Sequence, residues 1–427
     1  MSYKDSINNK LEGVVEFFNK DIVKYVLFYA FLIICSSIEF IDYFKATKGL
    51  KYIFLVVTTI ILLMIMIKKK LFPKNLKNIN WLFIFLIIYS ILSFSWCQVM
   101  YECVKNTFLL FMTTVIAIYI GIKYSKEELF KMLLQWFMAI VIINLILWAF
   151  RFSFVFDTIE RRYAHIPIKG IFEHRNVLGL NMVFSIAITL WYLLNNKISD
   201  KRTKIIYLIN LIGSIILLFE TKSMTSWVLL PLFIMLIFLT NNKKVSNLVI
   251  YSILPLISLV SYSIICKPSW FTKLLYTIGR NPTLTRRDVI WRGVLECIKI
   301  KPILGYGYTN LLTKNPNALK FISKPYGGLP VNCHNGYLEI LADFGILGAL
   351  FILIGFIFLF VMLKKLNQTV ISSDRKYISY ILSFLVFILL HRLVESSLIK
   401  HLSSTYILII IFSNIVQKEW DKQKNKA

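Results

Sequence analysis

The sequence predicts an all-α integral membrane protein, and three of its properties indicate this. First, 57% of its 427 residues are hydrophobic and the mean hydropathy is +0.68, whereas a soluble chain averages about 45–50% apolar residues. Second, apolar segments recur along the chain at about the length that a helix needs to cross a bilayer. Third, the Lys and Arg residues behind the net charge of +27 mostly lie between those segments, as membrane topology requires.

Twelve apolar segments are each predicted to form a transmembrane helix, although several of them are short for a perpendicular crossing. They lie at about residues 23–40, 51–67, 81–97, 107–122, 132–150, 177–194, 205–219, 226–240, 248–266, 337–363, 377–391 and 402–416.

The positive charges predict the orientation of these helices. If the N-terminus is cytoplasmic, the seven segments on that side carry 25 Lys and Arg residues and the opposite short loops about ten. Because short cytoplasmic loops are enriched in Lys and Arg, both termini are predicted to be cytoplasmic. The chain then divides into an N-terminal membrane region (1–266, about nine helices), an extracytoplasmic loop (267–336) and a C-terminal membrane region (337–427, about three helices).

The longest polar stretch, residues 279–348, is therefore predicted to lie at the outer face. A guanidinium can donate two hydrogen bonds to phosphate oxygens at once, and fixed cations stabilise a departing diphosphate. An imidazole accepts a proton near neutral pH, so the stretch suits work on an anionic lipid-linked substrate. The alternatives are lipid headgroup contact or a solvated loop for the arginines, and a satisfied interfacial side chain for the histidine. The residues concerned are Arg280, Arg286, Arg287, Arg292 and His334.

Four further polar residues are candidates to support this site. Asn335 would orient His334 or cap the following helix. Glu339 and Asp343 share one helical face, where they would pair with the outer arginines or bind acceptor hydroxyls. A salt-bridged bundle interior is an equal alternative. Glu395 is interpreted in the same way, with Arg392 as its local partner.

Two glycines follow on the same predicted helix. Gly345 and Gly348 are three residues apart, and this spacing favours close helix–helix packing over direct lipid binding.

Several cofactor classes are not indicated. The outer loops contain no D-x-D pair, and the chain contains no C-x-x-C and no G-x-x-x-x-G-K-[ST]. No metal or cofactor is therefore expected, and the energy would come with the substrate, as a lipid-linked diphosphate provides. Since topology explains the basic charge, no nucleic-acid partner is expected either.

Several motifs then occur in one order along the chain. GIFEHRNVLG begins at Gly170, ETKSMTS at Glu220, and LTRRDVIW and KPILGYGY follow. His334-Asn335 is separated by nine residues from Gly345-x-x-Gly348, and VESS comes last. Over roughly residues 165–400 this order resembles the O-antigen ligase/polymerase superfamily of bacterial lipid-linked glycan transferases, and its exopolysaccharide-polymerase members most.

The resemblance implies a GT-C-like fold and a metal-independent, inverting transfer of a glycan from undecaprenyl diphosphate to a sugar hydroxyl. His334 would be the base on the acceptor, and Arg287 would hold the diphosphate. It also implies a bacterial plasma (inner) membrane location with an extracytoplasmic active site. The chain departs from the family pattern in two places. Arg286 stands where the family has glycine, and the segment ETKSMTS lacks the arginine of the family's Ser-Arg motif. Residues that would compensate for the latter are Lys222, Arg175 and the pair Arg161–Arg162.

Three functions remain open at this point. One is polymerisation of lipid-linked repeat units for a capsule, exopolysaccharide or O-antigen, and another is ligation of finished glycan to a different acceptor. The third is a transporter or flippase, which predicts functional polar residues near the middle of the membrane, whereas here they gather at one surface. The expected partners are the undecaprenyl-diphosphate-linked glycan and the lipid bilayer, and other polysaccharide assembly proteins are candidates.

Overall fold

The computed structural model describes residues 28–33, 45–68, 80–157, 166–195, 198, 200–277, 287–313, 315–330, 332–396 and 398–425. Within these ranges the chain is nearly all helical, and its β-structure is one isolated bridge between Phe156 and Ile168. Seven of the described helices are long and apolar enough to cross a membrane. The prediction of an all-α integral membrane protein is confirmed.

Thirteen of the described helices have nine residues or more. They are α1 (Lys45–Lys68), α2 (Trp81–Leu92), α3 (Met100–Lys123), α4 (Lys126–Ala149), α5 (Arg175–Asn195), α6 (Lys201–Thr221), α7 (Met224–Leu239), α8 (Lys243–Cys266), α9 (Ser269–Thr277), α10 (Arg287–Ile300), α11 (Gly336–Thr369), α12 (Ser372–His391) and α13 (Ser404–Lys424).

The seven helices of membrane-spanning length are α1, α3, α4, α5, α6, α8 and α11, and each corresponds to a predicted span. Helices α2 and α7 are apolar but shorter. The predicted span 377–391 lies inside α12, and the predicted span 402–416 lies in α13 except for its first two residues. The segment 23–40 is described at 28–33 alone. The total of twelve spans stays a prediction.

Polar side chains mark where several helices begin, because the first amide groups of a helix have no partner within it. Ser125 and Glu128 form a reciprocal capping box at the start of α4, with hydrogen bonds of 3.2 and 2.8 Å. Asp200 and Asn242 accept hydrogen bonds from the first amides of α6 and α8. These caps stand next to Lys-rich segments, so helix starts and charge clusters coincide in the sequence.

The chain forms two compact units, one of residues 1–75 and 115–227 and the other of residues 76–114 and 228–427. In the first unit α4, α5 and α6 pack against one another. Buried polar groups join α5 to α6: Asn210 donates to Thr189 at 2.8 Å, and the hydroxyls of Ser185 and Ser214 lie 2.8 Å apart. The topological division at residues 266 and 336 concerns sides of the membrane and stays a prediction.

The second unit is built around α13, whose residues 405–417 are buried. That helix carries polar groups that its neighbours satisfy. Asn414 and Asn80 exchange two amide hydrogen bonds of 3.0 Å each, and the Tyr406 hydroxyl lies 3.0 Å from Thr114. A buried polar group without a partner is costly, so these pairs specify how α13 sits in its unit.

The polar stretch predicted as a loop at 267–336 contains helices α9 and α10 and a short helical segment at 316–326. Helix α10 packs against both that segment and α11. Gly293 permits the contact with the segment, because a Cβ at this position would overlap the Phe321 carbonyl. The described residues of this stretch thus form a folded part of the second unit.

Helix α11 is broken at Gly345, which has φ 62° and ψ −168°. The prediction that Gly345 and Gly348 lie on one regular helix is wrong. Residues 302–307 occupy the break and bind the backbone on both sides of it. Because Gly345 has no side chain, the two backbones can approach each other closely. The four hydrogen bonds are Tyr306 N to Ala342 O (2.7 Å), Gly307 N to Asp343 O (3.0 Å), Ile346 N to Pro302 O (2.8 Å) and Leu347 N to Ile303 O (3.3 Å).

Substituting Gly345 tests this interpretation. Gly345→Ala should destabilise the protein, because the new Cβ would overlap the Ile303 carbonyl and the backbone conformation is one that essentially only glycine adopts. Gly327→Ala is the matched control, since Gly327 has φ 91° with nothing within 4 Å of a Cβ. We expect Gly345→Ala to lower the apparent midpoint of thermal unfolding by roughly 5 °C more than Gly327→Ala. Equal midpoints would contradict the close approach.

Candidate active site

A turn at residues 392–396, directly after α12, organises one end of the second unit. Two of its carbonyls, those of Arg392 and Glu395, accept the Gly336 amide at 2.8 and 3.1 Å. The Leu393 carbonyl accepts the Asn335 side-chain amide at 3.0 Å. The turn therefore binds the His334-Asn335-Gly336 motif through its backbone, which side-chain patterns in the sequence do not reveal.

The side chain of Arg392 stabilises this turn through hydrogen bonds. Its side chain is buried, and its guanidinium donates to the Ser396 carbonyl and to the Thr405 hydroxyl, the latter at 2.6 Å. Burial lowers the pKa of Arg392 to about 10, so the group stays charged at neutral pH. The prediction that Arg392 is the ion-pair partner of Glu395 is wrong, because Glu395 pairs with another arginine.

That partner is Arg287, the first residue of α10. Its Nη2 lies 3.0 Å from Glu395 Oε1, and its Nη1 donates to the Val394 carbonyl. The two side chains are 18% and 12% exposed, so water screens this pair less than a surface ion pair. The contact brings together residues that are 108 positions apart.

His334 lies on the other side of the same carboxylate. Its Nδ1 is 3.8 Å from Glu395 Oε2, which is longer than a hydrogen bond. Among the described residues this buried nitrogen has no hydrogen-bond partner. The structure therefore brings His334, Glu395 and Arg287 together, with the carboxylate between the imidazole and the guanidinium.

The carboxylate of Glu395 is ionised in this setting. Burial by itself would raise its pKa, but the Arg287 guanidinium and the neighbouring His334 imidazole outweigh burial and hold the pKa well below its usual range. A charged carboxylate facing Nδ1 favours a proton on that nitrogen. Nε2 is then the nitrogen with a lone pair to accept a proton.

The residues next to His334 have structural roles. Asn335 caps α11, since its side-chain oxygen accepts the Tyr337 and Leu338 amides at 3.0 Å each, and this predicted alternative is confirmed. Burial raises the pKa of the Cys333 thiol well above its usual value, so the thiol stays protonated and is a poor nucleophile at neutral pH.

Glu339 and Asp343 lie one turn apart at the start of α11, as predicted. Glu339 Oε1 accepts the Cys333 amide at 3.2 Å, so this carboxylate supports the backbone before His334. The Asp343 carbonyl accepts the Gly307 amide at the helix break. Binding of an acceptor hydroxyl by either carboxylate stays a prediction.

Arg175 and Lys222 belong to the first unit. Arg175 Nη1 donates to the Lys222 carbonyl at 3.0 Å and to the Thr221 carbonyl at 3.4 Å. Lys222 ends α6 in the left-handed region, with φ 52°. Arg175 thus satisfies the last carbonyls of α6, a common role for a basic side chain, and diphosphate binding by these two residues stays a prediction. Arg161, Arg162, Arg280 and Arg286 lie outside the described residues.

Two contacts of the site were missed by sequence reasoning. Trp291 Nε1 donates to the Cys333 carbonyl at 2.9 Å, and Asn332 accepts the His334 amide at 3.1 Å. The signal for Trp291 was its position one turn after Arg287 on an amphipathic helix. The signal for Asn332 was its position two residues before His334, the usual spacing of a side chain that caps a turn. Within the described residues, no group of three His, Cys, Asp or Glu side chains is placed to hold a metal ion.

Comparison with known proteins matches a part of the chain that contains two of these residues. The family model described as "O-Antigen ligase" matches residues 209–353, about a third of the chain, and includes both Arg287 and His334. A protein of Rickettsia felis named "Putative polysaccharide ligase" is 29% identical over 106 residues, 24% of this chain and 25% of that protein. A relative of the same description from Rickettsia typhi is 32% identical over 102 residues, 23% of this chain and 24% of that protein. The matched part of the chain thus spans about a quarter of the length of these curated relatives.

Proposed function

We propose, from the similarity of residues 209–353 to the O-antigen ligase family, that this chain polymerises undecaprenyl-diphosphate-linked oligosaccharide repeat units into a bacterial surface polysaccharide. The reaction is an inverting glycosyl transfer on the outer side of the plasma membrane. The observation that carries the proposal is the cluster of His334, Glu395 and Arg287, in which a base, its orienting carboxylate and a fixed cation share one site.

The transfer is a single displacement in which His334 acts as the base. The acceptor hydroxyl gives its proton to His334 Nε2 while its oxygen attacks the anomeric carbon of the donor. The bond from that carbon to the diphosphate breaks, and the electron pair leaves with undecaprenyl diphosphate. Glu395 faces Nδ1 and favours the imidazolium that forms, and the 3.8 Å separation is compatible with a contact that tightens when substrate binds.

Arg287 has two roles in this proposal. Its guanidinium carries a permanent charge and several donors, so it can contact the departing diphosphate while it keeps Glu395 ionised. The diphosphate is therefore expected to bind beside the Arg287 guanidinium.

Ligation of finished glycan to another acceptor is the second candidate. The matched family is described as O-Antigen ligase and the curated relatives are named as polysaccharide ligases, and this favours it. The chemistry at His334 and Arg287 is the same in both reactions. The two functions differ in whether the acceptor is another lipid-linked repeat unit or a different molecule.

The test is an assay of the purified full-length protein in lipid nanodiscs, supplied with lipid-diphosphate-linked repeat units and analysed by product size. We expect a ladder of products that lengthens with time and persists in the presence of a metal chelator. A single transfer step that requires an added acceptor would identify the ligase instead. Absence of any transfer, or loss of transfer on chelation, would contradict the proposed metal-independent mechanism.

Deletion of the gene distinguishes the same two functions in cells. Loss of a polymerase should leave single repeat units on the surface acceptor, whereas loss of a ligase should leave long polymer on the lipid carrier. Normal surface polysaccharide in the deletion strain would contradict both.

A further inference from the structure

The backbone of His334 adopts a conformation that an L-residue rarely takes. Its φ is 51°, in the left-handed region. For a residue other than glycine this conformation costs about 1–2 kcal/mol. The surrounding structure must therefore hold the residue there, and the contacts that do so determine where the imidazole lies.

Hydrogen bonds to the backbone of Cys333 and His334 stabilise this turn. Trp291 Nε1 donates to the Cys333 carbonyl at 2.9 Å, and Glu339 Oε1 accepts the Cys333 amide at 3.2 Å. The His334 amide itself donates to Asn332 Oδ1 at 3.1 Å. Of the side chains named here, Asn332 is the one that binds the backbone of the histidine directly.

The same oxygen of Asn332 also binds the turn that carries Glu395. The Ser396 hydroxyl donates to Asn332 Oδ1 at 3.3 Å. One acceptor atom therefore joins the turn of His334 to the turn at 392–396. Changing that atom would alter the separation of the imidazole from the carboxylate without removing either group.

We infer that Asn332 is a positioning residue that sets the contact between His334 and Glu395, and this inference rests on the proposed function of the site. Asn332 touches neither the donor nor the acceptor. Its effect is on turnover rather than on substrate binding, because a displacement of about 1 Å in a catalytic group can lower the rate about 100-fold.

The charged groups around the imidazole determine how the rate should depend on pH. Glu395 faces Nδ1, and Arg287 pairs with that carboxylate from α10. The other charged or titratable groups on the flanking elements are Arg392 on the turn, Glu339 on α11 and His391 at the end of α12. An imidazole that moves away from Glu395 loses the negative charge that favours its protonated form.

The experiment compares three variants of the full-length protein in nanodiscs, using the product-size assay. Asn332→Ala removes the acceptor, and we expect turnover to fall about 10–100-fold with the KM for the donor changed less than about threefold. Its acidic limb should move to lower pH. Asn332→Asp keeps the acceptor, and it should recover most of the turnover with the acidic limb at higher pH, because it adds a negative charge near the imidazole.

Asn315→Ala is the matched control. Asn315 Oδ1 accepts the Asn317 amide at 3.1 Å, the same two-residue contact, at a buried position in the second unit that has no part in the proposed chemistry. We expect its turnover to stay within about threefold of wild type. In a His334→Ala background, Asn332→Ala should have no further effect on the residual rate, since residues that act as a unit are not additive.

The outcomes separate this inference from the proposed function. If the wild type makes no product, or His334→Ala is fully active, the proposed function fails. If His334 is required but Asn332→Ala behaves like Asn315→Ala, or changes KM alone, Asn332 has no positioning role. If Asn332→Ala does not fold, a folded Asn332→Asp that has lost its turnover would overturn the inference.

Discussion

His334→Ala is expected to lower the turnover of lipid-linked repeat units at least about 100-fold, since a positioned general base typically contributes 10²- to 10⁴-fold to a rate. The protein should remain folded, because Nδ1 makes no hydrogen bond with the described residues and the side chain is 27% exposed. An unchanged unfolding midpoint with lost turnover is the expected combination. It is measured by thermal unfolding and by initial rates of product formation on the same preparations.

The pH dependence gives a second measure of the role of His334. Because the pKa of Glu395 is held well below its usual range, that carboxylate should stay ionised between pH 5 and 8. A general base acts only in its unprotonated form, so the wild-type rate should fall on the acidic side and the residual rate of His334→Ala should not.

A second histidine provides the control for this substitution. His401 Nδ1 lies 3.0 Å from the Tyr308 hydroxyl, and His401 has no part in the proposed chemistry. We expect His401→Ala to retain most of the turnover. Ladder formation by His334→Ala at the wild-type rate would remove the proposed base, whatever the behaviour of His401→Ala.

Substitution of Arg287 is expected to have the second large effect. Arg287→Ala removes the proposed diphosphate contact and also leaves the buried Glu395 carboxylate without its ion-pair partner, which costs on the order of 3 kcal/mol of stability. Arg287→Lys keeps a charge but loses the forked donor geometry. We expect Arg287→Lys to lower turnover about 10–100-fold with a smaller loss of stability.

The double variant Arg287→Met with Glu395→Gln separates the two roles of Arg287. It removes both charges, so stability should recover toward wild type while turnover stays low. Arg292→Ala is the control on the same helix, because its side chain is 75% exposed and pairs with Asp288, and it should change neither quantity much. If the double variant regained turnover along with stability, Arg287 would have a structural role alone.

The stability contribution of the pair also has a defined pH dependence. The folded-state pKa of Glu395 is depressed, so the contribution is fully present above the unfolded value of about 4.3 and is lost as the pH falls toward the folded value. The stability advantage of the wild type over Arg287→Ala should therefore shrink as the pH falls toward the folded pKa of Glu395. An advantage that grew on acidification would contradict the ion pair.

The candidate site could be predicted only in part. His334 and Arg287 were identified through motifs, and Asn335 through its position before a helix. Arg287 was not recognised as the partner of Glu395, because the two are 108 residues apart and the nearer Arg392 has the same charge. Sequence proximity favoured the wrong arginine, and packing of α10 against the turn at 392–396 decided between them.

The sequence by itself determined the features that depend on neighbouring residues. Hydropathy over about 20 residues predicts an apolar helix, the position of Asn335 before a helix predicts a cap, and charge bias predicts an orientation. These follow from interactions within one or two helical turns. They account for the all-α membrane class and for most of the helix positions.

Tertiary structure alone decided the break in α11 at Gly345 and the left-handed turn at His334. Both are backbone conformations that cost free energy locally and persist because distant segments bind them: residues 302–307 in one case, and Trp291 of α10 in the other. A local pattern cannot contain that information, since the stabilising hydrogen bonds exist only after those segments have packed together.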